Sequence, residues 1–240
     1  MERLIKDLLQ EVSRQLINIS DAPELDARWL MAKVLEKEDN WVLTHGDTPL
    51  SLEQQAKFAE LAQERATGKP LAYILVEWDF YGRKFLMNTS VLVPRPETED
   101  LVEAALNHID KNGAQAVADI GTGSGCIAIT LVLERPHLTV LATDISPTAL
   151  ETARQNAKRH GVLDKIEFLQ GDTLKPLVGK QVDLIVSNPP YLPSAEAKEN
   201  KFEPTIALDG GKDGQVFIDQ IKASGRPAAI EVTGGTIEVV

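Results

Sequence analysis

Cysteine is almost missing from this sequence: Cys126 stands alone among 240 residues. A lone thiol excludes disulfides within the chain and cysteine-rich metal centres, so no metal site is expected, and it fits a reducing, cytoplasmic setting. Long apolar runs are missing too. The best of them, residues 126–133, is stopped by Glu134 well short of the ~20 residues that a membrane-spanning helix needs. The opening Met-Glu-Arg-Leu-Ile-Lys-Asp has no basic segment followed by an apolar one, so no secretory signal is expected. Positive charge is in short supply: 25 Lys and Arg face 36 Asp and Glu, a formal net charge of −11. Such a surface repels a phosphate backbone, no strong basic patch offsets it, and direct nucleic-acid binding is not expected.

Three regions follow from the patterning. Residues 1–67 read as helices only: Leu4, Leu8, Leu9, Val12 and Leu16 recur at helical spacing, Ser20-Asp21-Ala22-Pro23 offers caps for a second helix, and Gly46 stops a short segment around Trp41. Ser51 with Gln54 three residues on resembles a capping box that opens a helix to about Thr67. No titratable cluster occurs here, which leaves a partner surface as the role of this helical domain. Gly68-Lys69-Pro70 breaks the pattern, and residues 68–93 turn β-rich, with strand-like stretches at 71–75, 78–81, 84–87 and 91–93 that predict a β-hairpin connector. Five of the chain's few aromatics (Tyr73, Trp78, Phe80, Tyr81 and Phe85) crowd into it, and packing is their expected role.

From 94 to 240, strand and helix patterns alternate. Strands are expected at 116–120, 139–143, 165–169 and 182–187, with helices at 126–133 and 147–159. Alternation of this kind predicts an α/β fold with a parallel, Rossmann-like sheet covered on both faces and ligands at the carboxyl ends of its strands.

Two motifs carry chemistry. Asp119-Ile-Gly121-Thr122-Gly123-Ser124-Gly125 falls at a strand-to-helix junction, where glycines let the backbone turn tightly and approach a ligand. The dinucleotide fingerprint would place its third glycine at 126, which is Cys126; the acid and the spacing look like the nucleoside loop of methyltransferases that use S-adenosylmethionine. Asp144, closing the next strand, can accept ribose hydroxyls or cap the following helix, a role open equally to Ser146. Asp172 and Thr173 follow the third strand, where an adenine amino group is read. The second motif, Ser187-Asn188-Pro189-Pro190-Tyr191, comes directly after a strand. Its prolines lack backbone donors and hold an extended turn, so the Asn188 side-chain oxygen and the Pro189 carbonyl make two acceptors for a planar NH₂ group, with Tyr191 able to stack over it.

With these motifs, Gly68-Lys-Pro-Leu-Ala-Tyr-Ile-Leu, Phe80-Tyr-Gly, Pro94-Arg95-Pro96-Glu97-Thr98-Glu99 and Phe202-Glu-Pro…Ala207-Leu-Asp-Gly-Gly, the chain resembles the HemK/PrmC methyltransferases. The resemblance runs to about Gly214 and implies a class I S-adenosylmethionine-dependent methyltransferase that modifies a glutamine of peptide-chain release factors, with residues 1–67 recognising the substrate. Asn188, Pro189 and Tyr191 are then the catalytic candidates. Asp119, Gly121, Thr122, Gly123, Ser124, Gly125, Asp144, Asp172, Thr173 and Asn188 would hold the cofactor; Asn188, Pro189, Pro190, Tyr191, Arg95 and Glu97 would hold the substrate. A nucleic-acid amino methyltransferase could use the same tetrapeptide, but the acidic charge stands against it. A cofactor-binding module without activity is the alternative outside enzymes. The family's sheet ends in an antiparallel hairpin, whereas after Phe217 this chain has one strand-like stretch, 228–232, so its sheet is expected to stop short of that hairpin.

Overall fold

The computed structural model describes residues 3–240, which divide after Val76 into two units. In the first, a two-residue strand β1 (Arg3–Leu4) leads into α1 (Ile5–Leu16). Then come α2 (Pro23–Leu35), α3 (Asp39–Thr44), β2 (Pro49–Leu50), which pairs antiparallel with β1, and α4 (Leu52–Ala66). The helical spacing puts Ile5, Leu8, Val12 and Leu16 on one buried stripe, joined by Leu30 and Met31 of α2 and by Phe58 and Leu61 of α4. Ser51 opens α4 as a capping box: its Oγ accepts the Gln54 N–H at 3.1 Å and Gln54 Oε1 accepts the Ser51 N–H at 3.0 Å. Asp26, buried on α2, accepts from Arg65 Nε at 2.7 Å.

Residues 71–75, expected as a strand, are the helix α5 (Leu71–Leu75). Five apolar residues carry too little periodicity to separate the two states, and Pro70 just before them fixes its φ near the helical value.

The second unit starts with a hairpin, β3 (Glu77–Phe80) and β4 (Arg83–Leu86), which pairs Trp78 with Phe85. Tyr81 and Gly82 both have positive φ, 51° and 68°, the two-residue turn that matches strand twist. The hairpin is narrower than the expected connector, because residues 91–93 form no strand; the Val93 N–H is taken instead by Glu203 Oε1 at 3.1 Å. Phe80 and Phe85 are buried edge to face, with ring centroids 6.1 Å apart.

After α6 (Glu97–Asn112) the alternation sets in. It runs through β5 (Ala116–Ile120), α7 (Cys126–Glu134), β6 (Thr139–Asp144), α8 (Pro147–Arg159), β7 (Ile166–Gln170), β8 (Leu184–Ser187), α9 (Ser194–Ala197), α10 (Val216–Ala223), β9 (Ala228–Val232) and β10 (Thr236–Val239). The six strands from β5 to β10 lie in the order β10-β9-β8-β5-β6-β7. All neighbours are parallel except β9 and β10, which pair antiparallel from Thr236 opposite Val232 to Val239 opposite Ala229. One strand follows that was not expected: Gly234 and Gly235, both at positive φ, turn the chain back within three residues into β10. Among the described residues, no helix is long and apolar enough to cross a membrane.

Candidate active site

The sheet reverses its strand order between β5 and β8, and the carboxyl ends of β5, β6, β7 and β8 open on one cavity of about 260 Å³. Such a crevice is where α/β sheets bind ligands. Gly121 and Gly123 after β5, Asp144 at the end of β6, Asp172 and Thr173 after β7, and Asn188, Pro189 and Pro190 after β8 all line it.

Glycine at 125 is dictated by packing. It is the N-cap of α7 with φ 81°, and a Cβ there would meet the Ala153 Cβ at 3.0 Å. Asp119, Thr122, Ser124 and Gly125 are buried behind the loop and do not line the cavity. Asp119 is fully enclosed; its Oδ2 accepts the Thr122 hydroxyl at 2.6 Å and the Ala128 N–H at 3.1 Å, which ties the loop to the first turn of α7. Its Oδ1 has no partner, and burial pushes the carboxyl up to about 7. Asp119 thus shapes the loop from behind it.

Asp144 stands on the wall itself. Its Oδ2 accepts the Gly123 N–H at 3.0 Å and its Oδ1 the Ser146 N–H at 2.9 Å, and each oxygen retains capacity for a further donor. Burial raises its pKa, against the pull of those N–H groups. The cap of α8 is Ser146, whose Oγ accepts the Ala149 N–H at 3.2 Å, so Asp144 is not used for that purpose. Asp172 sits at the rim, where Lys175 first and the Thr173 hydroxyl second hold its carboxyl below the usual range. Thr173 adopts φ 50°, a left-handed conformation that a β-branched residue avoids and that marks strained backbone at the cavity wall.

At the end of β8, Ser187 Oγ donates to the Ile120 carbonyl at 2.8 Å and locks the two neighbouring strand ends together. The Asn188 side chain follows. Its Nδ2 donates to Thr98 Oγ1 at 3.1 Å, and its Oδ1 is buried with no hydrogen-bond partner. Behind the prolines, Gly214 (φ 78°) lies so close that a Cβ would sit 2.2 Å from the Tyr191 carbonyl oxygen. Gly210 of Asp-Gly-Gly packs there as well: a Cβ on it would sit 2.6 Å from the Pro190 carbonyl oxygen, and its N–H donates to the Leu192 carbonyl at 2.8 Å. Tyr191 is half-buried and does not line the cavity; its hydroxyl points to Glu231 Oε1, 3.4 Å away, and burial raises its pKa.

Arg95 and Glu97 are not brought to the cavity. The Arg95 guanidinium is held by Glu203 at 2.5 Å, and Glu97 is exposed in the first turn of α6 with its stem beside Gly235. The member of that hexapeptide that does reach Asn188 is Thr98, which the sequence reading passed over. Thr98 also donates to Glu231 Oε2 at 2.8 Å. A signal for Glu231 was present: Ala-Ala-Ile-Glu-Val is a buried strand, and a charged residue within one asks for a partner. Asn156 escaped notice as well. Fully buried on α8, it accepts from the Leu86 N–H at 2.7 Å and donates to the Leu86 carbonyl at 3.1 Å and the Ser124 carbonyl at 2.9 Å, pinning β4 to the glycine loop.

A cavity walled by a glycine loop, a strand-end carboxylate and an Asn-Pro-Pro turn on this sheet defines a class I methyltransferase, and a family model described as methyltransferase small domain matches residues 100–207. A second model, described as PrmC N-terminal domain, matches residues 7–75. Proteins named release factor glutamine methyltransferase from Xylella fastidiosa (strain 9a5c) and Neisseria gonorrhoeae are 41% and 44% identical to the chain, which spans 77% and 78% of them with 88% of its own length in each case. Another from Nitratidesulfovibrio vulgaris is 44% identical, covering 81% of this chain and 68% of that protein. The chain belongs to the family of release factor glutamine methyltransferases.

Proposed function

We propose that this chain transfers a methyl group from S-adenosylmethionine to the side-chain amide nitrogen of a glutamine in peptide-chain release factors. The observation that carries this reading is the buried Asn188 Oδ1 without a partner on the wall that also holds the glycine loop. An orphaned buried acceptor costs stability and persists where a ligand supplies the missing donor. The wall fits the cofactor too. Around Gly121 no atom lies within 4 Å of where a Cβ would be, leaving room for a nucleoside against the backbone. Asp144 has acceptor capacity for ribose hydroxyls, Asp172 and Thr173 offer an acceptor and a hydroxyl beyond it, and the acidic lining suits a cation. When bound, S-adenosylmethionine supplies an electrophilic methyl on a sulfonium.

An amide nitrogen is a poor nucleophile because its lone pair is delocalised into the carbonyl. Asn188 Oδ1 and the Pro189 carbonyl accept its two N–H hydrogens, which fixes the NH₂ plane, aims the lone pair and steadies the positive charge that develops on nitrogen during transfer. No strong base is needed beforehand, since the nitrogen becomes acidic as it is alkylated and releases its proton then. Recognition of the release factor falls to the helical unit, none of whose described residues lines the cavity. Translation termination places the reaction in the cytoplasm.

The test is peptide mass spectrometry after incubation of a release factor with the protein and S-adenosylmethionine. One added methyl on a glutamine is the expected result; methyl found only on RNA or DNA, or on nothing, overturns the reading.

A further inference from the structure

Asn188 can serve as an acceptor only in one of its two amide orientations. The other would turn its NH₂ toward the substrate NH₂, donor against donor. What surrounds the side chain decides between them. Thr98, 2% exposed in the first turn of α6, has a single hydroxyl hydrogen, and Glu231, 0% exposed on β9, is acceptor-only as a carboxylate. With that hydrogen committed to Glu231 Oε2 at 2.8 Å, the Thr98 oxygen is left to accept, and the group it accepts from at 3.1 Å is the Asn188 NH₂. The second Glu231 oxygen faces the Tyr191 hydroxyl, which also can only donate to it.

We propose that Glu231 and Thr98 form a one-way hydrogen-bond relay that sets the Asn188 amide, turning its NH₂ into the protein and its oxygen toward the substrate nitrogen. Both are positioning residues that act through Asn188. The relay joins three places far apart in the chain, the first turn of α6, the turn after β8 and the carboxyl end of β9, and it gives the Thr of the Pro-Arg-Pro-Glu-Thr-Glu hexapeptide its task. The inference rests on the reading of Asn188 as the amide acceptor, and wild-type methylation of a release-factor glutamine tests that reading separately.

Removing the hydroxyl with Thr98→Val frees the amide to turn, so kcat on the release factor should fall roughly 10- to 100-fold while the affinity for S-adenosylmethionine, read by calorimetry, stays as it was. Thr98→Ser, which keeps the hydroxyl, should recover most of the loss. The decisive measurement is a double-mutant cycle: in an Asn188→Ala background, Thr98→Val should cost nothing further, because nothing remains to orient. Glu231→Leu gives an independent arm should Thr98→Val fail to fold. It leaves the Thr98 hydrogen no acceptor but Asn188 Oδ1, so its loss in kcat should match or exceed that of Thr98→Val and should likewise vanish in the Asn188→Ala background. If wild type methylates the glutamine but either folded variant keeps the full rate, or if the losses add to that of Asn188→Ala, the relay is wrong and the functional reading stands.

Discussion

Asp26 in the helical unit and Asp119 in the sheet unit are both buried carboxylates, satisfied to different degrees. Asp26 meets Arg65 at 2.7 Å, whereas Asp119 has one oxygen holding two donors and the other holding none. The same contrast recurs across the units. Among the described residues, the buried side-chain atoms without a partner are Asp119 Oδ1, Thr130 Oγ1, Thr143 Oγ1, Asn188 Oδ1 and Arg226 Nη1, all of the sheet unit. A group left so costs roughly 1–3 kcal/mol. In the sheet unit Thr143 and Asn188 stand on the cavity wall and Asp119 lies behind its glycine loop, a contrast that fits the proposed division between a partner surface and a site for a reaction.

Separating the units is the harshest test of the contrast. Residues 77–240 produced alone and shown to be folded should still bind S-adenosylmethionine by calorimetry but fail to methylate an intact release factor. Full turnover by that fragment would mean that the helices recognise nothing. Next in size is Asn188→Ala. Loss of one preorganised contact to a developing charge costs about 10²–10³ in rate, so single-turnover transfer should drop that far with cofactor affinity nearly unchanged. A folded variant at the wild-type rate would make the tetrapeptide a structural turn.

Asp119 sharpens the comparison through pH. Burial raises its carboxyl from 3.8 to about 7, so the folded chain keeps a proton there that the unfolded chain has already released. Its contribution to stability is whole below the unfolded value and is lost as pH rises through the folded one. Between pH 5 and 8 the cofactor-free protein should lose roughly 2–3 kcal/mol from this group. Urea unfolding of wild type and Asp119→Asn at both pH values reads it: the difference between the two proteins should change over that interval, and parallel behaviour would show that Asp119 is ionised throughout. The smallest effect is at the strand-end carboxylate on the cavity wall. Asp144→Ala should weaken S-adenosylmethionine binding by about 1–3 kcal/mol, and unchanged titration calorimetry would remove Asp144 from the cradle.

Much of this architecture could be read from the amino acids, because local rules dominate where it was legible. The strand and helix alternation, the capping box at Ser51 and the turn after β8 are each set by residues within one element. Failures came where the deciding partner is distant or the segment short. Helix α5 is five residues long, and β10 follows a Gly-Gly turn that looked like a chain running out. Arg95 and Glu97 were expected at the substrate from the resemblance; Glu203, more than a hundred residues on, holds the Arg95 guanidinium, and it is Thr98 of the same hexapeptide that bonds to Asn188. The Thr98 to Glu231 bond spans 133 positions, a distance at which spacing within a motif carries no information.

Glu203 carries a consequence for how the chain folds. One buried carboxylate gathers the Val93 N–H, the Arg95 guanidinium at 2.5 Å and the Asn200 amide at 3.1 Å, closing a loop of 110 residues between Val93 and itself. Closures of that length come late, after the strands they enclose have paired. The Val93 amide proton is therefore a clock for completion of the sheet unit: in pulse-labelling hydrogen exchange it should gain protection after the amides of β5 and β6, and Glu203→Gln should delay it without slowing theirs.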